Sequence, residues 1–157
     1  SSYRKNDNHI NGMTLGAFTG YFRDRDSLKN ITHPYNEYKA HVVLGVIYDY
    51  VSDIDERKSY TIEQLPDIIS VIKNFKFFVQ EKWKIAIDRP GSGNTKNIGS
   101  VSNINDLING NGPFAELGED IFNDYWMYYL TTDMARMAEL PKPDYRNLSE
   151  YKQFKNI

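Results

Sequence analysis

The sequence predicts a mainly α fold, an irregular bundle of four to five helices with a long Gly/Asn-rich loop. Three observations support this. Apolar residues recur every three or four positions in the long segments 34–56, 62–87 and 114–140. Residues typical of helix ends flank these segments, among them Pro34 and Pro141. In addition, 40% of the 157 residues are hydrophobic and 14% are aromatic, enough for the core of a single domain over 1–157.

The segment 34–56 follows a weaker helical pattern at 13–28, in which two glycines lower the helix propensity. Thr32 and Pro34 suit the first turn of a helix. The apolar positions of the segment form one helical stripe: Tyr35, Tyr38, Val42, Val46, Tyr50 and Ile54. The sequence therefore predicts a helix over 34–56.

Two periodicities compete in the segment 62–87. As a helix, it starts with a capping box at Thr61 and Gln64 and carries one apolar stripe. As strands, Phe75, Phe77 and Val79 alternate with polar residues, in an α+β fold with a hairpin at 68–86. We favour the helix because its start signals and length agree with its pattern, and the hairpin is the alternative.

The segment 114–140 has a broad apolar face, and acidic residues are concentrated near its start. The stretch 88–113 before it is rich in glycine and asparagine. It has neither the Lys-Ser/Thr ending of a P-loop nor the glycine spacing of a dinucleotide-binding turn. We therefore expect a mobile loop between two helices, and a flexible N-terminus at 1–12.

Composition argues against several classes of protein. Acidic residues outnumber Lys and Arg by 21 to 19, so no global positive field draws the chain onto nucleic acid. Without cysteine there is no disulfide, thiol nucleophile or zinc–thiolate site. No apolar run approaches the roughly 18 residues that span a bilayer, and the first residues are too polar for a signal peptide. We expect a soluble, cytoplasmic protein with no membrane partner.

Three polar residues four positions apart are candidate metal ligands. On one helix His33, Glu37 and His41 would share a face, and imidazole and carboxylate groups at this spacing ligate divalent metals. A solvated helix face is the favoured alternative, because Pro34 pushes His33 out of helical geometry.

Another candidate site depends on the hairpin, which would bring Asp67, after Pro66, close to Gln80 and Lys82. An acidic residue followed by a short hairpin that ends in acid-x-lysine resembles the PD-(D/E)xK nucleases, with Gln80 where the second carboxylate is usual. The resemblance implies a magnesium-dependent nuclease in which acidic ligands hold the metal and Lys82 helps to activate water. The alternative is an amphipathic helix with solvated lysines.

Basic and aromatic residues are candidates for binding a macromolecule. Lys84, Arg89 and Lys96 form the most basic neighbourhood of the chain, suited to nucleic acid at 88–96. Aromatic side chains with a polar tip are enriched at protein interfaces, and the helix at 114–140 carries a cluster of aromatic side chains. Its candidate binding residues are Tyr125, Trp126 and Tyr129.

Without a catalytic signature, we interpret the chain as a non-enzymatic interaction or assembly module that needs no cofactor. It would bind a protein partner or itself through the aromatic helix 114–140 and the loop 88–113. One alternative is a metal-dependent nuclease of restriction-endonuclease type, or a fragment of one, using Mg²⁺ or another divalent metal. The other is a helical nucleic-acid-binding module.

Overall fold

The structure is a computed structural model that describes residues 2–24, 31–55, 57–91 and 96–157. In chain order the strands are β1 Ser2–Asn6, β2 His9–Ile10, β3 Thr14–Ala17, β4 Val42–Tyr50, β5 Ile72–Glu81, β6 Ala86–Pro90 and β7 Asn97–Ser100. The α-helices are α1 Lys82–Ile85, α2 Ile104–Asn109, α3 Glu119–Tyr128, α4 Thr132–Met137 and α5 Leu148–Lys155. A π-helical turn at Thr19–Arg23 and 3₁₀ turns at Tyr35–Glu37 and Ile62–Asp67 complete the described elements.

The fold is α+β, so the prediction of a mainly α bundle is wrong. One sheet has the strand order β2-β1-β4-β5 and the other the order β3-β7-β6. In the first, β1 runs parallel to β4, while β4 and β5 pair antiparallel from Val42 opposite Glu81 to Tyr50 opposite Ile72. The short helices lie between and after these strands, and much of the buried aromatic core comes from α3 and the segment after α4.

The helix expected over 34–56 is a 3₁₀ turn followed by the nine-residue strand β4. Branched and aromatic residues fill β4, and they suit an extended backbone better than a helix. Val42, Val46 and Tyr50 are four residues apart, a spacing that keeps side chains on one face of a strand as well as of a helix. The apolar residues from Val42 to Tyr50, which were interpreted as one stripe of a helix, therefore belong to a strand.

The helix expected over 62–87 is also wrong. The capping box at Thr61 and Gln64 is present, but it begins only the 3₁₀ turn Ile62–Asp67. The backbone then extends as β5, which pairs with β4 and not with 68–72, so the alternative hairpin at 68–86 is not formed either. The alternation of Phe75, Phe77 and Val79 was the correct indication of a strand.

The stretch 88–113 contains the end of β6, all of β7 and all of α2, so half of the expected mobile loop is regular structure. Residues 92–95 lie outside the described residues. The segment 114–140 holds two helices, α3 and α4, because Tyr129 takes an extended conformation directly after Tyr128. Pro141 follows them as expected.

An exposed apolar surface covers the outer face of the first sheet. We call Val42, Leu44, Phe77 and Val79 the apolar sheet face; each is 57–69% exposed. On the opposite face Ile47 and Phe78 are buried in the core, since neighbouring residues of a strand point to opposite sides. Within the described ranges, no helix has the length and apolar character that a bilayer crossing needs.

Candidate nucleic-acid interface

Strands β6 and β7 form an antiparallel hairpin over 86–100, and its closing pairs are fixed by main-chain bonds. The amide of Gly91 donates to the carbonyl of Asn97 at 2.9 Å, and Pro90 lies opposite Ile98. The two strands approach each other closely here, because a Cβ on Gly99 would lie only 3.0 Å from the Cα of Gly91. Residues 92–95 connect the two strands of this hairpin.

The β6 side of the hairpin is attached to two helices through Asp88. The hydroxyl of Tyr125 in α3 donates to the main-chain carbonyl of Asp88 at 2.5 Å. The carboxylate of Asp88 accepts the amide of Leu148, the first residue of α5, at 2.9 Å. A carboxylate at a helix N-terminus is favourable because the first amides of the helix have no partner within it.

Tyr125 is held in turn by its own surroundings. Its ring is fully buried, and the hydroxyl of Tyr145 donates to the main-chain carbonyl of Tyr125 at 2.6 Å. Burial, and then the nearby charge of Asp88, raise the pKa of the Tyr125 hydroxyl. The raised pKa favours the protonated hydroxyl, which is the form that donates to Asp88.

The β7 side of the hairpin is attached to a different part of the molecule. Strand β3 pairs with β7, with Thr14 opposite Gly99 and Ala17 opposite Asn97. The amide of Phe18 donates to the carbonyl of Lys96 at 2.9 Å. Both ends of the segment 92–95 are thus anchored to packed structure.

Two of the three candidate basic residues flank that segment. Arg89 and Lys96 are exposed, and neither forms an ion pair with another described residue. Lys84 differs: it is partly buried, forms an ion pair with Glu81, and lies 5.1 Å from the ring centroid of Trp83. The charges of Arg89 and Lys96 are therefore the more accessible ones.

The residues proposed for nuclease chemistry do not come together. The carbonyl of Val71, just before β5, accepts a hydrogen bond from the amide of Val51. An extended strand advances about 3.3 Å per residue, so the Cα atoms of Val71 and Gln80 are about 30 Å apart. Asp67 precedes Val71 by four residues, a reach of at most about 15 Å. The Cα atoms of Asp67 and Gln80 are therefore more than roughly 10 Å apart.

Gln80 and Lys82 have structural partners instead. The side-chain amide of Gln80 donates to the carbonyl of Ile108 at 2.7 Å, which attaches α2 to β5. Lys82 is only 6% exposed, and its Nζ lies 4.0 Å from the ring centroid of Tyr21 and 4.9 Å from that of Tyr35.

The three candidate metal ligands are not arranged as a metal site. Nδ1 of His33 lies 3.9 Å from a carboxylate oxygen of Glu37, with both side chains exposed. His41 instead stacks on Tyr35, with 3.6 Å between ring centroids, and its Nε2 lies 3.1 Å from the Tyr35 carbonyl. In the part of the chain that the structure describes, no group of three or more His, Asp or Glu residues could hold a metal ion.

The aromatic residues proposed as a contact surface lie in the core. Tyr125 and Trp126 are fully buried and Tyr129 is 6% exposed. Arg89 and Lys96 stay predictions from the sequence, which gave no indication of Asp88, the residue that connects β6 to two helices. No spacing rule links Asp88 to Leu148, 60 residues away, so no signal in the sequence identifies this contact.

Comparison with known proteins gives two matches. A family model described as "Restriction endonuclease EcoRV" matches residues 1–156. The "Type II restriction enzyme EcoRV" of Escherichia coli is 37% identical over 156 residues, which are 98% of this chain and 60% of the relative. The chain thus spans about 60% of the length of the relative that it matches.

Proposed function

Because the chain belongs to the family of the restriction endonuclease EcoRV, we propose that it acts in DNA cleavage by a nuclease of this type, and that its hairpin at 86–100 contacts the DNA. The observation that supports this contact is the position of Arg89 and Lys96. Both are exposed cations, and they flank residues 92–95 at the end of an anchored hairpin.

Membership of a nuclease family overturns the interpretation as a non-enzymatic interaction or assembly module. That interpretation rested on the aromatic residues of an all-helical bundle. Those residues are instead core residues of an α+β fold, packed against each other and against Tyr145. The large number of aromatic residues in this segment reflects the packing of the core and does not indicate a protein partner.

The chemistry of the hairpin suits DNA. Cations that neutralise phosphates release counterions from the duplex, which supplies a large part of the affinity. Main-chain bonds already order both strands of the hairpin, so less conformational entropy is lost when Arg89 and Lys96 bind. Side chains and amides that contact phosphates also fix the register of the protein on the duplex.

Restriction endonucleases of this type use divalent metals such as Mg²⁺. The described residues do not provide a matching set of ligands, since Asp67 is distant from Gln80, and His33, Glu37 and His41 do not form a cluster. We therefore assign no metal-dependent step to these residues. Their proposed contribution is to bind the substrate.

The proposal is tested by fluorescence anisotropy with a labelled DNA duplex over a series of salt concentrations. We expect Arg89→Gln and Lys96→Gln each to weaken binding by about tenfold at low salt and to reduce the slope of log K against log salt by about 1. Lys76→Gln is the matched control, because Lys76 is an exposed lysine on β5 outside the hairpin.

Binding that is equal in the wild type and in both hairpin variants would refute the assigned contact. Cleavage is scored separately, with Mg²⁺ and plasmid DNA. Loss of cleavage in Arg89→Gln with retained cleavage in Lys76→Gln supports a role of the hairpin in the reaction.

A further inference from the structure

A cavity of about 290 Å³ lies between the 3₁₀ turn Tyr35–Glu37 and helix α3. This volume equals that of about ten water molecules in the liquid, so it admits a small organic molecule. It is separate from the hairpin described above: neither Arg89 nor Lys96 lines it. The residue types around the cavity define the chemistry of a ligand.

Aromatic rings form one side of the cavity. Tyr21 stacks on Tyr35 with 4.7 Å between ring centroids, and Tyr35 stacks on His41 at 3.6 Å. Phe22 and Tyr38 complete this side. Faces of aromatic rings carry partial negative charge and attract ammonium groups.

The same rings already contact an amino group of the protein. Nζ of Lys82 lies 4.0 Å from the ring centroid of Tyr21 and 4.9 Å from that of Tyr35. Lys82 lines a neighbouring cavity with Leu15 and Val43, and not the one next to α3. The ring stack therefore borders two cavities, and no described lysine is buried in the one next to α3.

Helix α3 supplies the opposite side of the cavity with two polar groups, Glu119 and Asn123, which are four residues apart and share a face. Burial, followed by the negative charges of Glu81 and Asp120, raises the pKa of Glu119. A cation that enters the cavity meets Glu119 with two further acidic residues close by. Glu119 forms no ion pair with another described residue.

Asn123 provides an independent indication of a ligand. Its side-chain oxygen is buried and has no hydrogen-bond partner among the described residues. A buried acceptor without a donor is costly, and a ligand N–H that enters the cavity would supply the donor. The two basic residues that line the cavity oppose a cation only weakly, because Lys39 is exposed and burial lowers the pKa of His41.

We propose that this cavity binds the primary ammonium group of a small aliphatic amine, such as a diamine or a polyamine. The ammonium group donates hydrogen bonds to the Glu119 carboxylate and the Asn123 oxygen, and the alkyl chain packs on Phe22 and on the edge of the Tyr35 ring. This site is independent of the proposed DNA contact and of any nuclease activity.

The test is an isothermal calorimetric titration of the whole chain with butane-1,4-diamine at pH 8 and low salt. We expect saturable binding with half-saturation at or below about 5 mM. Tetramethylammonium carries the same kind of charge without N–H donors, and we expect it to bind at least about fivefold more weakly.

Glu119→Gln should weaken diamine binding by about tenfold, because it removes the charge while preserving the shape of the side chain. Asp120→Asn is the matched control: it makes the same change in net charge next to Glu119 but does not line the cavity, so binding should change less than about twofold. Thermal unfolding of both variants verifies that they fold.

Amide NMR shifts of the wild-type protein provide a second readout that needs no variant. They should change upon diamine addition at Tyr35, Glu119 and Asn123, and not at Arg89 or Lys96. Absence of saturation by about 20 mM, or equal weakening in Glu119→Gln and Asp120→Asn, would overturn the proposal.

Discussion

The side-chain hydroxyl of Tyr125 donates a hydrogen bond to the main-chain carbonyl of Asp88, with 2.5 Å between the two oxygens. Tyr125 lies 37 residues along the chain from Asp88, on the buried face of α3. The next residue after Asp88 is the exposed Arg89. A core residue thus determines the position of the strand that carries one of the proposed DNA contacts.

Tyr125→Phe should loosen the hairpin without altering the aromatic core. The ring stays in place and one hydrogen bond is lost, so the free energy of unfolding should fall by about 1 kcal/mol. Hydrogen exchange should become faster at the amide of Gly91, whose bond to Asn97 closes the hairpin. Tyr128→Phe is the control, since Tyr128 is 60% exposed on the same helix. Unchanged exchange at Gly91 in Tyr125→Phe would show that Tyr125 does not hold the hairpin.

Lys82 should make the stability of the protein depend on pH. Burial lowers the pKa of its ammonium group to about 7, whereas an unfolded lysine titrates near about 10.4. Between these values the unfolded chain holds a proton that the folded chain has released. The free energy of unfolding should therefore rise by roughly 2 kcal/mol from pH 7 to pH 9.

Lys82→Met should remove this rise, because methionine fills a similar volume without a titrating group. Urea unfolding at pH 6, 7, 8 and 9 measures the difference, with Lys76→Met as an exposed control that should keep the slope of the wild type. An equal slope in wild type and Lys82→Met would mean that Lys82 titrates normally.

Gly112→Ala should be strongly destabilising. A Cβ at this position would lie 2.6 Å from the carbonyl oxygen of Lys84, and the Gly112 amide donates to that same oxygen at 2.7 Å. The backbone must shift to relieve the overlap, at a cost of about 1–3 kcal/mol. Gly12→Ala has nothing within 4 Å of the added atom and should be nearly neutral. Thermal unfolding compares the two variants, and similar midpoints would contradict the close approach at Gly112.

Phe77→Lys should change the surface of the protein more than its stability. Phe77 is 68% exposed on the apolar sheet face, so its replacement should cost less than about 1 kcal/mol and should reduce binding of a hydrophobic dye. Phe78→Lys, on the buried side of the same strand, should unfold the protein. Dye fluorescence and urea midpoints are the measurements. A large loss of stability in Phe77→Lys would mean that this face is covered.

The sequence predicted helices in several places where the structure has strands, and the apolar sheet face explains part of the error. In a strand with one polar face, polar and apolar residues alternate along the sequence. Strand β4 is apolar on both faces, with Leu44 on the exposed face and Ile47 on the buried face. A continuous apolar run cannot be distinguished from a buried helix by periodicity. Spacings of four, as from Val42 to Val46, are compatible with both structures.

The sequence indicated only some features of the candidate site. Arg89 and Lys96 were predicted from charge alone; the structure adds that both are exposed, and their role in binding stays a prediction. Lys82 was misplaced, since a lysine is rarely buried, and its aromatic neighbours come from Tyr21 and Tyr35, far away in the chain. Contacts of this kind depend on the tertiary fold, so local patterns do not reveal them.

The bonds that hold the two ends of the segment 92–95 join main-chain atoms: Gly91 to Asn97 and Phe18 to Lys96. Neither bond uses a side-chain atom. Substitutions within 92–95 therefore leave the atoms of both bonds in place, so variants of this part of the proposed DNA contact can be compared on one frame.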